Sequence, residues 1–485
     1  MYDLAASRHS QDINRLKIQV FREVFRLSWP LSAAQIAQSL MMFTDTVMFG
    51  LLGLAELGGG GLGASIYLFI ITVMTGLFSA LGNEVAILSG TTGISQQQRT
   101  HRIACAVKAG IVLALFTAFV LALALQFLPA LLPLLDQSPA NIPHAATYLQ
   151  TAALISFPAF VFLIFRGLAA GLGRTRSLMR ISLFCCALNA PVSYLLMSGF
   201  GGWSGFGVAG VAMGTAVVQL LMLVLLLREL WRDEQVKPVL QALSGAGFSF
   251  RQLIPFWTLG VPIALAWAME IGLFTMATVL AGTLGLVALA AHQIAFQTAS
   301  LSFNIYIGIA QGTAIRVGQC FGAGQIALAF SYMRGGLVLG MLFCAIAAGV
   351  FILVPHWLVG LFTLGVDSTA AAASSAGQAD QAAELRDLSI QLLFVAAIFQ
   401  AVDCVQVILM TATRAFRMGA SPTVVATISY WLIGFPAAWL GLHWLGLMGI
   451  WLGLGIGLAS AAFGLAYLLR RFARASGQQQ LEYGA

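Results

Sequence analysis

Residues Ala109–Leu134 read AGIVLALFTAFVLALALQFLPALLPL, an apolar run without one charged side chain. Such a run exceeds the roughly 20 residues that carry a helix across a bilayer. Working outward between charges and Gly/Pro turns, similar runs give twelve candidate helices. Their limits are 24–52, 58–89, 103–134, 145–170, 178–200, 206–230, 252–281, 286–317, 330–363, 387–413, 421–443 and 446–470. Composition agrees: 60% of the 485 residues are apolar and 8% are charged, whereas soluble domains carry about 25% charge. Too few polar groups remain to cover a water-facing surface. A mean hydropathy of +0.91 excludes a disordered chain as well. The expected class is all-α: a polytopic membrane protein whose twelve transmembrane helices form two six-helix pseudo-symmetric halves around a central cavity.

Charge placement supports the count. With the N-terminus inside, 23 of the 24 basic residues fall in inward-facing segments or at the helix ends beside them, and Arg386 is the exception. Such a separation follows the positive-inside rule, so the net charge of +7 reflects topology and calls for no nucleic-acid partner. The six cysteines lie in or beside apolar runs, where Cys packs as a small hydrophobe. Residues 1–23 hold four basic residues and no apolar core of a cleavable signal.

These limits define a cytoplasmic N-terminal arm (1–23), an N-terminal lobe (24–230) and a cytoplasmic linker (231–251). A C-terminal lobe (252–470) and a cytoplasmic tail (471–485) follow. Residues 364–386, rich in Ala and Ser without an apolar face, are expected to form a flexible outer loop. The lobes carry a weak internal repeat. A shift of 232 residues brings Pro30 onto Pro262, Gly53 onto Gly285 and Gly90 onto Gly322. Later, RGLAAGLGRT from Arg166 echoes RAFRMGASPT from Arg414, and GVAGVAMG from Gly207 echoes GLMGIWLG from Gly446. Six spans per half make this a parallel repeat, a pattern that suits alternating access better than a channel filter.

Four acids fall inside spans: Asp45, Glu84, Glu270 and Asp403. On insertion scales each costs about 2.5–3.5 kcal/mol and needs a reason. Asp45 stands 19 residues past Arg26, and Glu270 19 past Arg251, roughly 28 Å along a helix. Asp403 lies 11 residues before Arg414, again far from either surface. Gln38, Met41 and Asp45 share one helical face, as do Phe399, Gln400, Asp403 and Gln406. Carboxylates beside amide, Met and aromatic groups suit a cavity for amphipathic cations. Each acid also admits a plainer reading as an interhelical hydrogen-bond clasp. For Glu84, near an inner helix end, the plainer reading is preferred. His292 is read as a packing histidine, and Asn189, two residues before Pro191, as either structural or site-forming.

The stretches PLSAAQIAQSLMMFTDTVMFG (from Pro30), the P…E…AAHQ…IRVGQ run from Pro262 to Gln319, and FQAVDCVQVILMTATR (from Phe399) resemble the multidrug and toxic compound extrusion (MATE) family, in its NorM-type bacterial branch. The resemblance runs in order along nearly the whole chain. It implies export of cationic, often aromatic drugs and dyes across the bacterial inner membrane in exchange for H+ or Na+. It further implies no cofactor beyond that coupling ion and no enzymatic activity. Partners would be the small-molecule cations and the lipid bilayer, with both termini cytoplasmic and the chain a monomer. Residue by residue, Asp45 matches the family's span 1 aspartate and Asn189 a nearby span 5 asparagine. Glu270 and Asp403 match the C-terminal cation site, which would hold Na+ in a sodium-coupled member. Two positions depart from the pattern: Ser193 replaces a second aspartate of related branches, and Phe399 replaces a tyrosine. The latter change removes one possible oxygen ligand.

Competing classes lack their motifs. There is no GxxxxGK[ST] for an ATP-driven pump, and neither HExxH nor GxSxG for a membrane enzyme. The loop GTTGISQQQRTHR from Gly90 is not the basic loop of major facilitators. A lipid or oligosaccharide flippase of related fold remains as the alternative.

Overall fold

The computed structural model describes residues 2–135, 141–200, 203–372 and 376–483. Every regular element among them is helical. The long helices are α1 (Tyr2–Leu52), α2 (Leu54–Gly90), α3 (Gln96–Phe127), α4 (Ile142–Gly171), α5 (Thr175–Ser198) and α6 (Val208–Arg232). A short helix α7 (Lys237–Gly245) follows, then α8 (Val261–Thr283), α9 (Leu286–Gly322), α10 (Ile326–Leu353), α11 (Pro355–Ala372) and α12 (Ala376–Ala415). The last pair are α13 (Ser421–Thr427) and α14 (Phe435–Tyr483).

Ten of the described helical segments are long and apolar enough to cross a membrane. One of them, 421–476, is two crossings, because Gly446 breaks α14 with φ 58°. Its repeat partner Gly207, at φ 57°, starts α6. A side chain at either position would meet the left-handed backbone penalty, which glycine avoids. The first helix, diluted by Gln35, Gln38 and Asp45, supplies the twelfth crossing. Large apolar side chains such as Phe116, Phe184, Leu342 and Ile346 point outward, a surface that only lipid can cover.

Helix boundaries follow from local chemistry. Ser95 and Gln98 form a reciprocal capping box that starts α3. At the other end of α3, Pro129 and Pro133 convert the chain to a 3-10 turn over Leu128–Leu135. In the second half Pro355 does the same work after α10. The ninth span, expected at 330–363, therefore ends at Leu353, since proline cannot continue the preceding helix without loss of a hydrogen bond. Two π turns precede prolines, Phe256–Gly260 before Pro262 and Ile428–Gly434 before Pro436. A wide turn re-satisfies backbone groups that the proline would otherwise strand.

The segment 364–386, expected as a loop, is helical wherever it is described: α11 runs to Ala372 and α12 starts at Ala376. Residues 373–375 lie outside the described residues. Alanine has the highest helix propensity, so an Ala-rich stretch forms helix without needing a periodic apolar pattern. All six cysteines are free thiols.

Packing groups the chain somewhat differently from the lobe limits read in the sequence. One unit comprises residues 29–267 and 318–325; the other comprises 1–28, 268–317 and 326–485. In the second unit, Ser28 Oγ donates to the Ile309 carbonyl at 3.4 Å. Just before it, Glu23 Oε2 meets Arg316 at 3.2 Å and accepts from the Tyr332 hydroxyl at 2.5 Å. Burial alone would raise the Glu23 carboxyl. The Tyr332 hydroxyl, the Gln19 amide and the Arg316 and Arg26 guanidiniums outweigh that and hold it below the ordinary value. In the first unit, Gly76 of α2 lies against the Ala264 backbone of α8, too close for any side chain.

Candidate functional site

In the unit of residues 29–267 and 318–325, three helices converge on Asp45 of α1. Asn189 Nδ2 of α5 donates to Asp45 Oδ1 at 3.1 Å, and Thr215 Oγ1 of α6 donates to Oδ2 at 2.8 Å. The same amide reaches the Met41 carbonyl at 3.4 Å. Asp45 is 7% exposed and Asn189 fully buried, so both carboxylate oxygens are engaged away from water. Asn189 Oδ1 and the buried Ser193 Oγ have no hydrogen-bond partner. Ser193 packs directly against Gly214, the residue before Thr215.

Two turns earlier on α1, Gln38 meets α4. Arg166 donates to Gln35 Oε1 at 2.5 Å and to Gln38 Oε1 at 3.4 Å. Gln38, expected to line the cavity beside Asp45, therefore holds a guanidinium. Met41 is buried at 4% exposure and contributes its carbonyl to Asn189.

The other unit holds Glu270 and Asp403, whereas Glu84 of α2 lies in the same unit as Asp45. Asp403 of α12 is 2% exposed and accepts from the Tyr306 hydroxyl of α9 through Oδ2; its Oδ1 has no partner. Glu270 of α8 lies within electrostatic reach of Asp403 and Arg414, and the Tyr430 hydroxyl faces it. That hydroxyl accepts from Gln406 Nε2 at 2.6 Å, and Gln406 Oε1 is buried without a partner. Tyr430 sits inside the π turn Ile428–Gly434. The acids are thus surrounded by hydroxyl and amide oxygens, hard donors of the type that alkali and alkaline-earth cations prefer. Among the described residues no group of three or more His, Cys, Asp or Glu side chains is placed to hold a metal ion.

Phe399 and Gln400 do other work. Phe399 joins an aromatic cluster, with ring centroids 5.4 Å from Trp451 and 6.1 Å from Phe274. Gln400 turns to α10, where its Nε2 donates to the Cys344 carbonyl at 3.4 Å. His292 packs as expected. Trp451 Nε1 can only donate, so His292 Nδ1, 3.2 Å away, accepts. The proton then sits on Nε2 and meets Thr278 Oγ1 at 3.0 Å, while that hydroxyl donates to the Phe274 carbonyl. The neutral ring is fully satisfied.

A family model described as MatE matches residues 30–195 and 262–440, most of both halves. The chain belongs to the MatE family. The two matched blocks reproduce the internal repeat, and Asp45, Asn189, Glu270 and Asp403 all lie within them. Over 92% of its length this MatE chain is 36% identical to "Probable multidrug resistance protein NorM" of Pseudomonas syringae pv. tomato, covering 93% of that protein. It is 34% identical to "Multidrug resistance protein NorM" of Burkholderia vietnamiensis, with 91% and 92% of the two chains aligned. Among solved structures, the outward-facing conformation of a multidrug resistance MATE family transporter superposes with a TM-score of 0.80 at 18% identity. That match covers 95% of this chain and 97% of the other. The eukaryotic MATE transporter AtDTX14 gives 0.75 at 18% identity, over 96% and 99%. At such identities these structures establish the shared twelve-helix fold.

Thr215, Tyr306 and Tyr430 escaped the sequence reading because a lone hydroxyl in a span costs little and raises no flag. A search for hydroxyl residues at the depth of the acids would have found them. Arg166, one of the basic residues at inner helix ends, lies in the last two turns of α4.

Proposed function

We propose that this protein is a secondary multidrug exporter that moves organic cations out of the cell in exchange for H+ or Na+. The observation that carries the reading is Asp403: a buried carboxylate with one oxygen unpartnered, beside a second carboxylate and three uncharged oxygen donors. A bare carboxylate at membrane depth is costly, so each turnover would leave it protonated or holding a cation. Asp403 Oδ1, Glu270 and the Tyr430 and Gln406 oxygens would take the coupling ion. The tyrosines supply oxygen that Phe399 lacks. In the N-terminal half, Asp45 would serve protonation or drug binding, with Asn189 and Thr215 fixing its orientation. Coupling requires only that the two cations favour different facings of the protein, since a ligand shifts an equilibrium by its differential affinity. The NorM relatives named above are described as multidrug resistance proteins, which supports drugs as cargo. The charge placement supports cytoplasmic termini, and an inner-membrane location is part of the same reading.

Proteoliposomes loaded with an ethidium-like cation provide the test, with a Na+ gradient and a pH gradient imposed separately. One of the two gradients, imposed alone, should drive counter-transport. If neither does across a panel of organic cations, while labelled lipid crosses the bilayer, the flippase reading replaces this one.

A further inference from the structure

A cavity of about 530 Å³ opens at the arginine-rich end of the unit formed by 29–267 and 318–325. Its polar lining includes Ser89, Gln96, Arg99, Thr100, Arg174 and Gln319. The two arginines differ. Arg174 is neutralised by Asp233, with Nε 2.7 Å from Oδ2 and Nη2 3.1 Å from Oδ1, and it also donates to Gln235. Arg99 donates only to neutral acceptors, the Thr91 carbonyl at 2.6 Å and Gln96 Oε1 at 3.1 Å. No carboxylate lies within ion-pair distance of it among the described residues. A guanidinium that lines a cavity without a carboxylate partner offers the planar fork that phosphate oxygens fit. Arg99 closes the first turn of α3, which adds the positive end of a helix dipole.

The surroundings fix the level of the cavity. The short helix α7 buries Val239 and Leu240, and Lys108 Nζ clamps the Ala246 carbonyl at 2.5 Å. The neighbouring chain exposes Trp231, Phe248, Phe250 and Trp257, interleaved with Arg228, Arg232, Lys237 and Arg251. Exposed aromatics among basic residues are the composition of a membrane–water interface, and basic pockets between helices there suit anionic headgroups.

We propose that this cavity binds a phosphate-bearing anion, the chemistry shared by an anionic phospholipid headgroup and free phosphate. The test uses full-length protein stripped of lipid in neutral detergent. Thermal unfolding is followed with phosphatidylglycerol, phosphatidylcholine or inorganic phosphate. Phosphatidylglycerol should raise the midpoint by roughly 2–4 °C, and phosphatidylcholine should not. Arg99→Gln should lose most of that rise, Arg99→Lys should keep part, and Arg102→Gln, exposed and outside the cavity, should keep all of it. An equal, Arg99-dependent rise with inorganic phosphate would make free phosphate the source; a rise with the lipid alone would make it the headgroup. The proposal is overturned if Arg99→Gln retains the full rise, if phosphatidylcholine matches phosphatidylglycerol, or if neither phosphate compound acts. Should Arg99→Gln fail to fold, Thr100→Val in native mass spectrometry decides: weakened phosphatidylglycerol retention supports the site, and unchanged retention rejects it.

Discussion

Asn189 anchors Asp45 across two helices, its Nδ2 donating to Oδ1 at 3.1 Å while Thr215 holds Oδ2. Neither oxygen is free to rotate toward a new ligand without breaking one of these bonds. Asp45→Asn preserves shape and removes the charge, so it should insert normally and lose gradient-driven efflux. Thr215→Val leaves one carboxylate oxygen without its donor, at a cost of about 1–3 kcal/mol. Efflux assays and thermal unfolding at matched expression check both, and wild-type transport by Asp45→Asn would remove Asp45 from the mechanism.

In the other unit, Glu270→Gln and Asp403→Asn should each abolish coupled efflux, because the amide can neither release a proton nor offer an anionic oxygen. Glu84→Gln should keep much of it. Near-normal transport by both of the first two variants would reduce those acids to structural clasps.

Tyr306→Phe tests the support of Asp403. The variant should stay folded and change the apparent affinity for the coupling ion more than the affinity for drug. Concentration dependence of counter-transport, measured for each, separates the two. Equal effects on ion and drug would place Tyr306 outside the ion site.

His292→Leu should destabilise without directly touching transport chemistry. It strips Trp451 Nε1 of its acceptor and Thr278 of a donor, and burying such orphans costs about 1–3 kcal/mol. A lowered unfolding midpoint with per-molecule efflux retained is the expected pair of readings.

Glu23 predicts a pH effect. Its folded carboxyl is held below the ordinary value. The contribution to stability is therefore complete above the unfolded carboxylate range near 4.3, and it fades as pH falls through the lower folded value. Glu23→Gln should erase that acid-side component while leaving neutral-pH stability within about 1 kcal/mol. Unfolding midpoints of the two proteins between pH 3 and 7 give the comparison; parallel curves would mean that Glu23 contributes nothing.

Twelve crossings were legible in the sequence because insertion acts on composition: long apolar runs and basic ends are the physical requirement itself. The acids were legible for the same reason, since a charge at depth is expensive wherever it sits. What surrounds them was not. Thr215 and Tyr430 are cheap in a span, and only the approach of separate helices makes them partners of Asp45 and Glu270. Arg166 carries a role that charge counting does not reveal, because its partners Gln35 and Gln38 lie more than a hundred residues away. The helical ends of 364–386 were hidden by the absence of an apolar stripe, which reports packing rather than backbone conformation.

A π turn is a helix that has accepted one extra residue, and the turn at Ile428–Gly434 therefore counts differently from the helix on either side. Removing a single residue there would restore a regular α-helix with both flanks close to their present facing, and only the positions inside the turn would be re-aimed. Tyr430 would lose the placement that faces Glu270, while the helix from Phe435 onward kept its packing. A one-residue deletion in this stretch should therefore cost function before it costs folding.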